Sequence, residues 1–301
     1  MRFKKLYVVG SLCIIMCLSA AGCEGQQLVE SNEQRDWIGA ECDNRETCAA
    51  WGDEVAEELE LYYGSLVDMQ SVELSAEEEE RSEEDEAIIA EYQIEGNAFI
   101  GDIESTDAAE HERLWNDFAW LFPLEERKMV TAFSVFSHVD TLAHVVQHED
   151  NAQEWSLAMN IDPAIMSPEE KMATLVHEFG HLLTLNSTQV DPFVEQRSCT
   201  TLFLDEGCAS KDAYIYAFQS RFWPELAYDY NDKQFVSEYA AMDFVEDIAE
   251  SWMNFVLTEK PAGATIAEKK VLFFYDYDEL VMLRAELLAR VASWMERYAK
   301  D

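Results

Sequence analysis

The run SPEEKMATLVHEFGHLLTL, residues 167–185, opens on a helix start and closes around a metal-binding pattern. Ser167 is placed to cap the helix, Pro168 suits its first position, and Glu170 completes a capping box. Met172, Leu175, Val176, Phe179, Leu182 and Leu183 predict a largely buried helix. Inside it stands His177-Glu178-Phe179-Gly180-His181, an H-E-x-x-H pattern. Four residues of helix turn about 400°, so the two imidazoles lie about 40° apart on one face. Two parallel imidazoles suit a tetrahedral Zn²⁺. Glu178, about 100° further round, borders the position such a pair leaves open for a water. The plainer alternative is a buried His/Glu pair that serves packing alone.

A zinc site of this kind requires a third protein ligand, and the sequence offers several sources. One known extension requires a glycine and a third histidine just beyond the motif, but Thr184 and Ser187 occupy those positions. His144 and His148 alternate along a predicted strand and are candidates, as is a place on an ordinary sheet face. A downstream stretch, 238–257 (EYAAMDFVEDIAESWMNFVL), predicts an acidic helix with Glu246 and Glu250 on one face. Asp243 precedes them and Asp247 lies to one side. That stretch is otherwise apolar, so carboxylates on its inner side would need a partner.

The pair HEFGH and SEYAAMDFVEDIAE resembles the gluzincin metallopeptidases, in particular those similar to the anthrax lethal factor catalytic domain. The second motif of that family spaces a Tyr, a ligand Glu seven residues on and another Glu four further; Tyr239, Glu246 and Glu250 match that spacing. The resemblance implies a zincin-like fold with zinc held by His177, His181 and Glu246. It further implies that Glu250 orients a ligand histidine, that Tyr239 hydrogen-bonds the developing oxyanion, and that an edge strand before the metal helix pairs with extended substrate; residues 155–161 are placed to do that, an ordinary core strand being the equal alternative for them. It covers roughly 80 residues, between 172 and 257. A spacing of 65 residues between His181 and Glu246 departs from the family. The insert carries Cys199, Cys208 and the aromatic stretch 214–228, which leaves the rim of the cleft unassigned.

The chemistry of the residues agrees with that implication. Two His, one Glu and an open position form a catalytic arrangement, whereas structural zinc sites are closed by four protein ligands. Such a site hydrolyses peptide bonds with a metal-activated water, Glu178 serving as general base and then acid. A neutral Tyr239 hydroxyl can stabilise an oxyanion. Glu250, or Asp247, can fix the imidazole tautomers. The expected function is a zinc-dependent metalloendopeptidase acting on a peptide or protein. The alternative is a catalytically inactive zinc-containing surface binding or scaffold lipoprotein; retention of Glu178 favours the enzyme. A metal-ion-binding lipoprotein is a third option.

Further out, the ends of the chain set the compartment. Arg2, Lys4 and Lys5 precede an apolar run, Leu6 to Leu18, about 20 Å of helix and too short for a ~30 Å hydrocarbon core. Ser19-Ala20-Ala21-Gly22 then leads to Cys23. This reads as a lipoprotein signal peptide over 1–22, with Cys23 lipidated and the protein tethered to the membrane of a bacterial cell envelope. An ordinary signal peptide ending near a Cys is the alternative. Cys42, Cys48, Cys199 and Cys208 remain, an even number that suggests disulfides in an exported chain, the short loops 42–48 and 199–208 being the expected pairs. With 61 Asp+Glu against 21 Lys+Arg and a net charge of −40, a nucleic-acid partner is excluded on electrostatic grounds.

Residues 23–86 read as an acidic tether, with a possible helix at 46–67 and a dense run of Glu at 73–86 that repels itself into a solvated linker. The metallopeptidase unit is expected over 87–301. Short strands at 129–136, 142–148 and 155–161 precede the metal helix, with a Thr106-capped helix before them. Helices dominate afterwards, among them one capped by Thr265 and one bearing Leu280, Leu283, Leu287, Val291, Trp294 and Tyr298. The order, a small N-terminal sheet followed by a mostly helical C-terminal half, is α+β.

Overall fold

The alternating segment AIIAEYQIE turns Tyr92 and Ile94 inward and leaves most of its other residues in solvent, and it forms strand β1 (Ala87–Glu95). Gly96, at φ 65°, starts the tight return into β2 (Ala98–Ile100), a conformation that glycine adopts without a Cβ penalty. These coordinates are a computed structural model, which describes residues 37, 42–67, 87–100, 107–139, 141–162, 167–223 and 231–298. The expected signal peptide over 1–22, the expected lipidation site Cys23, the Glu-rich run 73–86 and Thr106 lie outside the described residues.

Strands β3 (Val130–Ser137), β4 (Ala143–Gln147) and β5 (Trp155–Asn160) complete a five-stranded sheet of order β2-β1-β3-β5-β4. β3 and β5 run parallel and every other pair is antiparallel. Of the two readings of 155–161, edge strand and core strand, the structure shows the second: β5 is interior, and the edges of the sheet are β2 and β4. Its burial fits that place. WSLAMN is buried at every residue but Ser156, as a strand covered on both faces must be, whereas β4 leaves Val146 52% exposed.

Helix α1 (Arg45–Tyr63) is capped by Asn44 and buries Val55, Ala56 and Leu59. It lies along the C-terminal helix, to which Asp53 is tied by Arg284 at 2.9 Å, and it belongs to the packed body. All described residues fall in one unit, Asp36–Asp301, so the packed chain begins upstream of the expected boundary at 87. Helix α2 (Ala108–Leu121) and the single turn α3 (Leu124–Arg127) then lead into β3. Asp107 is the residue at the start of α2, and its side chain makes no capping bond.

Helix α4 (Pro168–Leu185) has the predicted capping box: Ser167 Oγ accepts from the Glu170 N–H, and Glu170 accepts from the Ser167 N–H. Every residue from Met172 to Leu182 is buried. Asn186 ends the helix by donating to the carbonyls of Leu182 and Leu183. The chain then builds a small sheet of β6 (Val190–Asp191), β7 (Phe203–Leu204) and β8 (Gly207–Ala209), followed by helix α5 (Tyr214–Phe222). Disulfides join Cys42 to Cys48 and Cys199 to Cys208.

The stretch 238–257 is not one helix. A 3₁₀ turn (Tyr239–Ala241) comes first, and α6 (Phe244–Leu257) starts afresh after Asp243. Asp243 is extended, and its carboxylate accepts the N–H groups of Val245 and Glu246, the geometry of an N-cap. Helices α7 (Ile266–Phe273) and α8 (Asp278–Tyr298) close the chain. Thr265 caps α7, but Glu268 reaches back to the Ala264 N–H and not to Thr265, so only half of the expected box forms. The class is mixed α+β, but the order is less simple than expected: α1 precedes the five-stranded sheet, α2 and α3 interrupt it, and a second, three-stranded sheet stands among the later helices. No helix among the described residues is long and apolar enough to cross a membrane.

Candidate metal centre

Helices α4 and α6 pack closely because Gly180, in the middle of HEFGH, has no side chain. A Cβ there would stand 3.1 Å from Cα of Ala249 and 3.0 Å from the Trp252 ring, both tighter than ordinary contact. This approach brings Glu246 of α6 over the two histidines of α4. Nε2 of His177 and Nε2 of His181 are 3.1 Å apart. Oε2 of Glu246 lies 3.2 Å from the first and 3.4 Å from the second. His177, His181 and Glu246 form a group able to hold a metal ion.

The fit can be tested on distances. Donors 2.0–2.1 Å from a tetrahedral Zn²⁺ stand about 3.3–3.4 Å from one another. The three atoms here are already close to that spacing. Oε2 of Glu246 is buried, and its polar neighbours among the described residues are the two imidazole nitrogens, so its charge must be met there by a protonated imidazole or by a cation. The donor set, two imidazoles and one carboxylate, is one that zinc takes.

Glu250 supplies the support. Its Oε1 is 2.8 Å from Nδ1 of His177, which fixes the proton on Nδ1 and leaves Nε2 as the lone-pair donor. Ser237 Oγ donates to its other oxygen at 2.5 Å and in turn accepts the Ala240 N–H. Ser237 opens the SEYAAMDFVEDIAE stretch, but no spacing in the sequence gave it a role. Asp247, weighed above as an imidazole partner, points elsewhere: it is fully buried against Lys270 Nζ at 2.6 Å and Trp223 Nε1 at 2.7 Å. Burial pushes its carboxyl up to about 6 against the opposing pull of Lys270.

Glu178 is buried beside the ligands and makes no hydrogen bond among the described residues. Its charge is felt by both His177 and Tyr239. Tyr239 stands at the rim, half exposed, its ring centroid 5.7 Å from that of His177. Burial, then the charges of Glu246, Glu178, Glu250 and Asp243, hold its phenol protonated and so a donor. In the insert, Glu206 in the β7–β8 turn is close enough to feel His181 and Asp243, and burial raises its carboxyl. His144 and His148 do not join the group. His144 packs near Phe136, and His148 bonds to Ser156 Oγ at 2.6 Å.

The charges lead to a pH prediction. Burial alone would lower the His177 imidazole, but Glu246 and Glu250 override it and hold it up at about 10. Burial alone would raise Glu246, but His177 and His181 hold it down at about 2. In protein stripped of metal by a chelator, the raised His177 contributes stability that is fully present below its unfolded value near ~6.5 and lost as pH climbs toward 10. The depressed Glu246 contributes above ~4.3, and its share is lost as pH falls through 2. Urea midpoints of chelated protein should therefore decline on the alkaline side, and His177→Gln should flatten that decline. Parallel profiles for the two proteins would contradict it.

Compared with protein-family models, with curated proteins and with solved structures, the chain matches none.

Proposed function

We propose that this chain is a zinc-dependent metallopeptidase with a zincin-like fold, exported and held on a bacterial envelope by a lipid at Cys23. One observation carries the reading: His177, His181 and Glu246 converge at metal-ligand spacing beside a buried, unbonded Glu178. A closed structural site would need a fourth protein ligand, and none joins the group among the described residues.

When bound there, a divalent cation would supply Lewis acidity, lowering the pKa of water toward ~7 and polarising a carbonyl. The side chains have separate tasks. The Glu178 carboxylate takes a proton from water as it attacks the peptide carbonyl, and the resulting acid returns that proton to the departing amine nitrogen. Tyr239, kept protonated, donates its phenol hydrogen to the oxygen on which charge develops. Glu250, held by Ser237, keeps His177 in the required tautomer. The free edge of β4, which packs against α4, offers backbone groups that an extended peptide can pair with. An antiparallel edge strand beside the metal helix supports the zincin-like reading.

The test is a proteome-derived peptide library incubated with zinc-loaded protein. Cleavage is expected, with loss on chelation and recovery on adding zinc. Stoichiometric zinc binding with no bond cleaved would favour the inactive surface-binding protein instead.

A further inference from the structure

Consecutive helical residues project about 100° apart, so Asp247 leaves α6 in a different direction from Glu246. It enters a dry box. Lys270 Nζ of α7 is 2.6 Å from one carboxylate oxygen, Trp223 Nε1 is 2.7 Å from the same oxygen, and Ser251 Oγ is 3.5 Å from the other. The ammonium lies 3.8 Å from the Phe235 ring centroid. Both side chains of the pair are fully buried. None of these contacts involves His177, His181 or Glu246.

A pair this dehydrated is a poor device for stability. The cost of removing both charges from water commonly matches or exceeds their attraction, and apolar or neutral replacements of similar size often fold as well or better. What such a pair does supply is direction. The Gly180–Ala249 approach sets how far α6 lies from α4, but a helix can still turn about its own axis at fixed distance. A Glu carboxylate stands about 6 Å from the helix axis, so a 10° turn moves it about 1 Å. Functional groups hold their geometry to about 0.5 Å. Glu250, bonded to His177, restrains the turn from the α4 side. Asp247, bonded to Lys270, restrains it from the side of α7.

We propose that Lys270 is a positioning residue for the third metal ligand: through its buried pair with Asp247 it sets the rotation of α6 and thereby the placement of Glu246. The inference rests on the metal-site reading above. Its test is the double substitution Lys270→Met with Asp247→Asn in the full chain. This removes both charges and keeps an acceptor for Trp223. Zinc affinity, measured by competition with a chromophoric chelator, is expected to fall by about tenfold or more, as for loss of other outer supports. The visible absorption of the cobalt-loaded protein should change, reporting altered ligand geometry. The thermal midpoint of chelated protein should stay the same or rise, which a role in stability alone would not allow. If the double variant does not fold, Lys270→Gln, which keeps a donor within reach of Asp247, is read by the same affinity and cobalt spectrum. Wild-type affinity with an unchanged cobalt spectrum overturns the positioning role and leaves the metal site standing. A wild-type protein that binds no zinc overturns both.

Discussion

Exchange of Glu178 for Gln is expected to lower peptide hydrolysis by about 10²–10⁴-fold while zinc affinity stays at the wild-type level. The two halves of that result come from different features. Glu178 lies one residue beyond His177 on α4, so its side chain leaves the helix about 100° away from the ligand face. It is not among the converging donors, whose spacing is set by His177, His181 and Glu246 alone. Its carboxylate makes no hydrogen bond among the described residues, and glutamine has the same shape, so the substitution opens no cavity. What glutamine lacks is a basic oxygen. The proton of the attacking water then has no acceptor, and the amine has no donor as it leaves. Parallel measurement of zinc content and kcat decides the matter. A fall in hydrolysis that merely tracks lost zinc would make Glu178 a structural residue, and an unchanged kcat would remove it from the mechanism.

Much of this site was legible in the chain because its signals are local. The capping box at Ser167 and Glu170, the apolar flanks and the four-residue spacing of the histidines all lie within one helix, and each needs only helix geometry. The three strands around 129–161 were legible for the same reason. What was not legible depends on partners far away in sequence. Nothing in WSLAMN states that β4, which precedes it, would lie outside it at the sheet edge. Helix α1 reads as part of a tether until Arg284, 231 residues on, accepts Asp53 as a partner. Asp247 and Glu250 are both carboxylates on one amphipathic stretch, and the stretch alone does not say which of them meets an imidazole. Lys270 and Trp223 decide it from other elements by claiming Asp247. The break at Asp243 was readable in principle: an aspartate three residues before a glutamate, ahead of an apolar run, is an N-cap pattern. Its cost was small, since Glu246 and Glu250 keep their register within α6. Tyr239, by contrast, loses its place on that helix and sits on a separate turn.

Glu246→Ala should weaken zinc binding by more than the roughly 10–100-fold that removal of an outer partner costs, and hydrolysis should vanish with it. The helix will tolerate the change. Alanine is the best helix former, and the cap at Asp243 grips the backbone N–H of residue 246, not its side chain. Loss of binding would therefore report the ligand and not the fold. Glu250→Ala is the matching control. It leaves all three clustered ligand atoms in place and deprives His177 Nδ1 and Ser237 Oγ of their shared acceptor, so its effect should stay within that smaller range. The order of the two losses discriminates between geometries. If Glu250→Ala cost more zinc affinity than Glu246→Ala, the ion would have to sit on the Nδ1 side of His177. There Glu250 and Ser237 already occupy the space, and His181, whose Nε2 faces the Nε2 of His177, could not reach it. Isothermal titration of zinc into both variants, with thermal midpoints of the chelated proteins as a check on folding, separates the two arrangements.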